Sequence, residues 1–188
     1  MLSQKIDSFF YKLRLRKTLK NLKQLGENCE IHYLTSIFCS NRLSLGSDIY
    51  IGPNAEINAL GGIEIKNGVI IGPNLIIHSA NHRFRNAKSI PYDEFFEFKK
   101  VIINENVWIG GNVIITPGSE IGEGCIIGAG TVISGKIPPL SIVVGNPCKV
   151  IKSRDKEEYH KLKEEDKIYL RLKSQNHLLP QVNNGYTE

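Results

Sequence analysis

Two imidazoles four residues apart, His78 and His82 in the segment HSANH, are groups whose type and spacing can do chemistry. On a helix such a pair shares one face and can hold zinc, but that use needs a third ligand and commonly an intervening Glu. The segment has no Glu, and His32, the remaining histidine of the central part of the chain, lies far away in sequence. Proton transfer is the other chemistry open to an imidazole, whose ordinary pKa near ~6.5 leaves it able to accept a proton at pH 7. Residue type alone leaves His82 open between a base and an ordinary loop histidine. His160 and His177 fall in a polar C-terminal stretch and read as surface residues. Gly110-Gly111 in VWIGGN and Gly128-Ala129-Gly130 in IIGAGTVI either bring backbone N–H groups close to a ligand or serve turns. Cys29, Cys39, Cys125 and Cys148 form no C-x-x-C pair and read as reduced thiols.

The elements that must position these groups follow from a six-residue period. Branched aliphatics recur at Leu25, Ile31, Ile37, then Leu45, Ile51, Ile57, then Ile65, Ile71, Ile77, and finally Ile103, Ile109, Ile115, Ile121, Ile127, Ile133. This fits neither the 3.6 period of a helix nor the alternation of an ordinary strand. It fits a short strand and a tight turn repeated every six residues, the aliphatic pointing inward. Three units make an 18-residue coil, and five coils are expected: 25–42, 45–62, 65–82, 103–120 and 121–138. Stacked coils bury a column that no single repeat buries alone.

The repeat breaks between Ile77 and Ile103, where an extruded loop, 82–102, is rich in charge and carries Phe84, Tyr92, Phe95, Phe96 and Phe98. So many aromatics predict packing against the solenoid or a neighbouring subunit. Residues 3–25 predict a basic amphipathic helix with Ile6, Phe9, Phe10, Leu13, Leu19, Leu22 and Leu25 at helical steps. It serves either as a cap on the first coil or as a peripheral contact with an anionic membrane. From Asp155 to Lys173 a solvent-facing helix is expected, and the tail QNHLLPQVNNGYTE shows no pattern. The domain organisation is thus 1–25, 25–151 and 152–188.

Net charge is +5 over 188 residues. Residues 1–25 hold seven basic residues against Asp7 alone, so this segment is +6 and the remainder −1. A near-neutral body argues against a nucleic-acid partner. No run approaches the ~18 apolar residues of a membrane span, and the N-terminus lacks the continuous apolar block of a secretory signal. A cytoplasmic protein, peripheral at most at the inner face of the membrane, is expected.

The motifs LGSDIYIGPNAEI, IKNGVIIGPNLII, VWIGGNVIITPGSEIGEGCIIGAGTVI and IPPLSIVVGNPCKVI, covering about residues 25–151, resemble the hexapeptide-repeat acyltransferases. Within them the likeness is to the branch of maltose, galactoside, nodulation-factor and polysaccharide O-acetyltransferases. This resemblance implies a mainly β chain forming a left-handed parallel β-helix, a single-stranded solenoid with N-terminal and C-terminal helices, assembled as a homotrimer with active sites between subunits. It also implies acetyl-CoA as co-substrate, no metal, and transfer of an acetyl group to a sugar or glycolipid hydroxyl in surface polysaccharide or glycolipid biosynthesis. Two alternatives are N-acetylation of a nucleotide-linked amino sugar and a non-catalytic trimeric scaffold. By the same resemblance His82 is the catalytic base and Gly111 the oxyanion donor. Trp108, Gly110, Gly111, Gly128, Ala129, Ser134, Lys136 and Lys149 are then expected to line the coenzyme A site. The family's acceptor Asn is replaced by Gly52 here, which leaves Asn54, Asn58, Asn81, Tyr92 and Asp93 as candidates for the acceptor.

Overall fold

The computed structural model describes residues 2–175. Its strands are two to five residues long and stack into three sheets wound around one axis, a parallel β-helix. The first sheet carries Leu25, Leu45, Ile65, Ile103, Ile121 and Ile137 in successive strands. The second carries Ile31, Ile51, Ile71, Ile109, Ile127 and Val143. The third carries Ile37, Ile57, Ile77, Ile115 and Ile133. The six-residue period therefore converts directly into register, each aliphatic directly above its counterpart one coil below. A sixth, partial turn begins at Ile137, within the expected fifth coil 121–138, and continues through Val143 beyond it. The step from Ile133 to Ile137 is only four residues, so the turn escapes a strict period of six.

Twelve of the fifteen ladder positions, those from Leu45 to Ile133, are fully buried. Complete burial of an Ile or Leu side chain is worth roughly 1.5–3 kcal/mol. The first coil departs from the expectation of a uniform inward ladder. Leu25 is 44% exposed, and Ile31 and Ile37 are only partly buried, because no coil lies beneath them.

Three corners connect the sheets, and each has its own character. At the corner between the first and second sheets a left-handed residue recurs at Asn28, Asp48, Gly68, Asn106, Gly124 and Leu140. Asn and Gly accept positive φ at low cost, and Leu140 at φ 61° is the exception. At the corner between the second and third sheets Asn54 donates to Asn74 (3.2 Å), which donates to Asn112 (2.9 Å), forming a polar ladder along the edge. The corner between the third and first sheets carries the extruded segment. That segment is a hairpin whose stalk pairs Ala80 with Phe98, Asn81 with Glu97 and His82 with Phe96. By Val101 the chain has rejoined the first sheet.

Helix α1 spans Leu2–Lys20, ending short of the expected residue 25 because Gln24–Leu25 pair with Ser44–Leu45 as the first strand. Leu15 is buried, Arg14 donates to Ser36 Oγ (3.1 Å) and Lys12 lies over the Tyr33 ring, so the helix caps the first coil. At the other end, strand Lys149–Ser153 folds back antiparallel on Ser141–Val144 and runs through the expected boundary at 151. Two helices follow, α2 at Lys156–Glu164, N-capped by Asp155, and α3 at Tyr169–Ser174. They are not solvent-facing throughout, since Tyr159 and Leu170 are buried. This C-terminal arm descends the corner between the first and second sheets. Arg154 donates to Gly124 O, Tyr159 Oη to Glu123 Oε1 (2.8 Å), Arg171 pairs with Asp48 (2.6 Å) and Lys173 with Glu30 (2.8 Å). The tail and His177 lie outside the described residues. Among the described residues no helix is long and apolar enough to cross a membrane.

Replacing Ile109 by Ala, with Ile71 below and Ile127 above, is expected to cost about 3 kcal/mol in chemical denaturation. Leu25→Ala, at the open end, should cost less than a third of that, and equal losses would contradict the ladder as the principal source of stability.

Candidate functional site

The hairpin fixes the surroundings of His82. Its imidazole stacks on Tyr92 (centroids 3.8 Å apart, planes 16° apart) and leans on Phe96 (4.4 Å). Both contacts follow from strand pairing: Phe96 lies opposite His82 in the ladder, and the turn beyond brings Tyr92 back over the ring. His82 is exposed, so its imidazole can be reached by an outside group.

Tyr92 is held by its sequence neighbour. Asp93 is buried, and its carboxylate binds Arg83 through Nε (2.9 Å) and Nη2 while accepting from Lys88 N and Phe95 N, both at 3.2 Å. Arg83 in turn stacks over Phe95 (4.3 Å). The Arg83 guanidinium, ahead of the two backbone donors, holds the Asp93 carboxyl below the usual carboxylate range. Asp93 is therefore committed to the hairpin through Arg83 and the two amides. Because Arg83 follows His82 and Asp93 follows Tyr92, the ion pair clasps the same two segments that the ring stack joins.

Asn81 is exposed beside His82 and pairs with Glu97. Asn58 lies in register with His78 on the outer side of the third sheet, its Oδ1 accepting from Leu60 N (3.2 Å). Asn54 belongs instead to the Asn ladder of the opposite corner. Among the described residues no cluster of three or more His, Cys, Asp or Glu is placed to hold a metal.

Gly110, Gly111, Gly128 and Ala129 stand at the corner between the second and third sheets. A Cβ on Gly110 would sit 2.7 Å from Ala129 N, so its glycine is required by the close approach of the next coil. A Cβ on Gly111 meets nothing nearer than Pro73 Cγ at 3.3 Å, so packing alone does not demand glycine there. The corner position of Gly111 is filled by Pro53 and Pro73 in the coils below and by Ala129 above. Proline fits because the turn makes no use of that N–H. The flanking Gly110 and Asn112 amides bond Ile127 O and Pro73 O, whereas the Gly111 amide has no backbone acceptor among the described residues.

Within one chain His82 and Gly111 occupy opposite edges of the third sheet, so the structure does not bring them together. Trp108 lies on the outer side of the second sheet, 55% exposed. It borders a groove of about 460 Å³ between that sheet and the C-terminal arm, shared with Tyr159, Tyr169, Arg154, Lys163 and Lys167. Sequence reasoning passed over these cations because a charged stretch reads as a solvated helix; only the descent of the arm places them against Trp108. Lys149 begins the final strand, and Ser134 follows the last strand of the third sheet. Lys136 stands apart on the charged outer side of the first sheet, paired with Glu120 (2.8 Å).

The model of the bacterial transferase hexapeptide family (six repeats) matches residues 100–135. Galactoside O-acetyltransferase of Escherichia coli K12 is 32% identical over 144 residues, 73% of this chain and 68% of that protein. A maltose O-acetyltransferase from Clostridium difficile 630 superposes with a TM-score of 0.62 at 30% identity, covering 76% of this chain and 75% of the other. An N-acyltransferase from Bacillus cereus, solved with dTDP and 3-hydroxybutyryl-CoA, gives a TM-score of 0.66 at 25% identity, covering 87% and 96%.

Because the folded carboxyl of Asp93 titrates below its unfolded value of about 3.9, the clasp is at full strength above that value and is lost as pH falls through the depressed one. The protection factors of the Lys88 and Phe95 amides, exchange rates corrected for the intrinsic pH dependence, should hold at pH values above the unfolded carboxyl range and fall once pH drops below it, while Asp93→Asn should show low protection throughout. Unchanged protection in that variant would sink the clasp.

Proposed function

The chain belongs to the hexapeptide-repeat acetyltransferases, and from that premise we propose that it moves an acetyl group from acetyl-CoA to a sugar hydroxyl, in surface polysaccharide or glycolipid synthesis. His82 takes the hydroxyl proton as the oxygen attacks the thioester carbonyl. The carbonyl oxygen, now negative, is received by the Gly111 N–H of a neighbouring subunit. Collapse of the tetrahedral intermediate expels the thiolate of coenzyme A, which takes the proton back from the imidazolium, so no acyl-enzyme forms. The observation that carries this reading is the unpaired N–H of Gly111 at a corner where the coils below place proline. A donor that the fold does not consume is what oxyanion stabilisation requires.

The separation of His82 from Gly111 within one chain supports a site completed by a second copy. Support for a closed ring of three comes from the outer surfaces. The second sheet presents Tyr50, Ile70, Trp108 and Ile126, and the third Ile76, Ile114 and Val132. The first sheet presents Glu64, Glu120 and Lys136, with ion pairs suited to water. The hairpin adds Phe84, Phe95 and Phe98, all about half exposed. A heterologous contact that closes after three copies covers such apolar sides without leaving a free end.

In this reading Trp108 and the Gly110–Gly111 and Gly128–Ala129 corners carry the pantetheine arm. Lys149 with Arg154, Lys163 and Lys167 meets the nucleotide phosphates, and Asn58, Asn81 and Tyr92 border the acceptor. Acetylation of an amine is the second reading, favoured by the fit to the Bacillus cereus N-acyltransferase over 96% of that chain. Alkaline treatment of the product separates the two, an ester being cleaved and an amide surviving.

His82→Ala is expected to reduce transfer ~100- to 10,000-fold while acetyl-CoA still raises the melting temperature. Full activity in that variant would return the chain to the scaffold reading. Gly111→Pro should fold normally, as Pro53 and Pro73 do at the same corner, yet lose on the order of 100- to 1,000-fold in kcat. An active Gly111→Pro protein would exclude that N–H from the oxyanion site.

A further inference from the structure

Helix α1 does not separate apolar from polar residues cleanly around its axis, but one side of it packs on the first coil and the other does not. Lys12, Leu15 and Leu19, spaced three and four residues apart, turn toward the first coil, where Leu15 is buried and Lys12 lies over Tyr33. The opposite positions, Phe9, Phe10, Leu13, Lys17 and Lys20, are all exposed. Phe9 is 59% and Phe10 63% exposed, and Leu13 45%. Among the described side chains, those that cap the solenoid run from Lys12 onward and do not account for the exposed Phe9 and Phe10. The free face passes from apolar at Phe9, Phe10 and Leu13 to basic at Lys17 and Lys20, and it belongs to the segment that concentrates +6 of charge on a body of −1.

We propose that this face of α1 seats the protein on an anionic lipid bilayer, Phe9, Phe10 and Leu13 entering the boundary between head groups and acyl chains while Lys17 and Lys20 meet lipid phosphates. A buried protein partner would cover the apolar residues equally well, but it would leave the basic excess of the whole segment unexplained; an anionic surface uses both features at once. The occupied half of the helix fixes the free half relative to the body, so the solenoid stands on its first coil with the hairpin and His82 two coils above. Three copies related by a rotation axis present three such faces at one level, which multiplies the attachment. That multiplication rests on the trimeric reading; attachment through a single helix does not.

Full-length protein is sedimented with vesicles of phosphatidylcholine mixed with phosphatidylglycerol and with vesicles of phosphatidylcholine alone. Binding is expected to the first and to be far weaker for the second, and to fall as salt rises. Lys17→Gln with Lys20→Gln should weaken it about fivefold per charge. Phe9→Ser with Phe10→Ser should weaken it at least ~10-fold, with melting temperature and oligomeric mass unchanged, since neither ring is buried. Equal binding to both kinds of vesicle, no binding to either, or full binding by either double variant overturns the proposal. So does a fall in oligomeric mass on replacing the two Phe residues, which would assign the face to a second copy. His82→Ala should bind vesicles like the unaltered protein, and transfer to a soluble acceptor should be unaffected by the α1 variants, so failure of the membrane proposal and failure of the acetyltransfer proposal are told apart.

Discussion

Everything in this molecule hangs on an aliphatic side chain needing an identical neighbour directly above and below it. A ladder rung such as Ile109, between Ile71 and Ile127, is dry only if the chain returns to the same place after each coil. That return fixes the three-sided cross-section and leaves only short corners for anything else. Chemistry is consequently laid out in columns along the axis. The columns change character only locally, as where Pro53 and Pro73 give way to Gly111, or where a corner opens to release the hairpin that carries His82.

The repeat was legible because burial selects Ile and Leu strictly at the inward positions, and the coil boundaries followed from where the period slips. The sixth turn was not legible, because its entry is shortened to four residues and Val stands at 143 where the series has Ile or Leu. Nor was the half-exposed first coil, since the sequence of Leu25 looks like that of Leu45 and only the missing neighbour beneath distinguishes them. The aromatic content of the extruded segment marked it as ordered. Which of Asp93, Glu94 and Glu97 would bind Arg83 depended on the path of the turn, and no local pattern encodes that. The C-terminal arm shows the same limit: its charges read as solvated until their partners, Asp48, Glu123 and Glu30, are seen one above another along a corner.

The adjacent glycines of VWIGGN show how close structural and chemical demands lie. Gly110 has no room for a Cβ against the coil above, whereas one on Gly111 would fit tightly against Pro73, and among the described residues the Gly111 amide has no backbone acceptor. One residue keeps the coils at their spacing and the next is released from that duty. A similar division runs through the hairpin, where Asp93 and Arg83 hold the geometry and His82, stacked on Tyr92, stays exposed.

The C-terminal arm touches the solenoid from Gly124 and Glu123 near the top to Asp48 and Glu30 near the bottom. A stack of equivalent coils has no intrinsic reason to stop at a given height, and its ends fray independently. Here the distance between Arg154 and Arg171 measures that height. Inserting or deleting one coil would shift Asp48 past its cation by a full inter-strand spacing of about 4.8 Å and leave each arm residue facing the wrong rung. The arm is thus a ruler: it counts the coils, and it makes the loss of the lowest one a matter for the whole molecule.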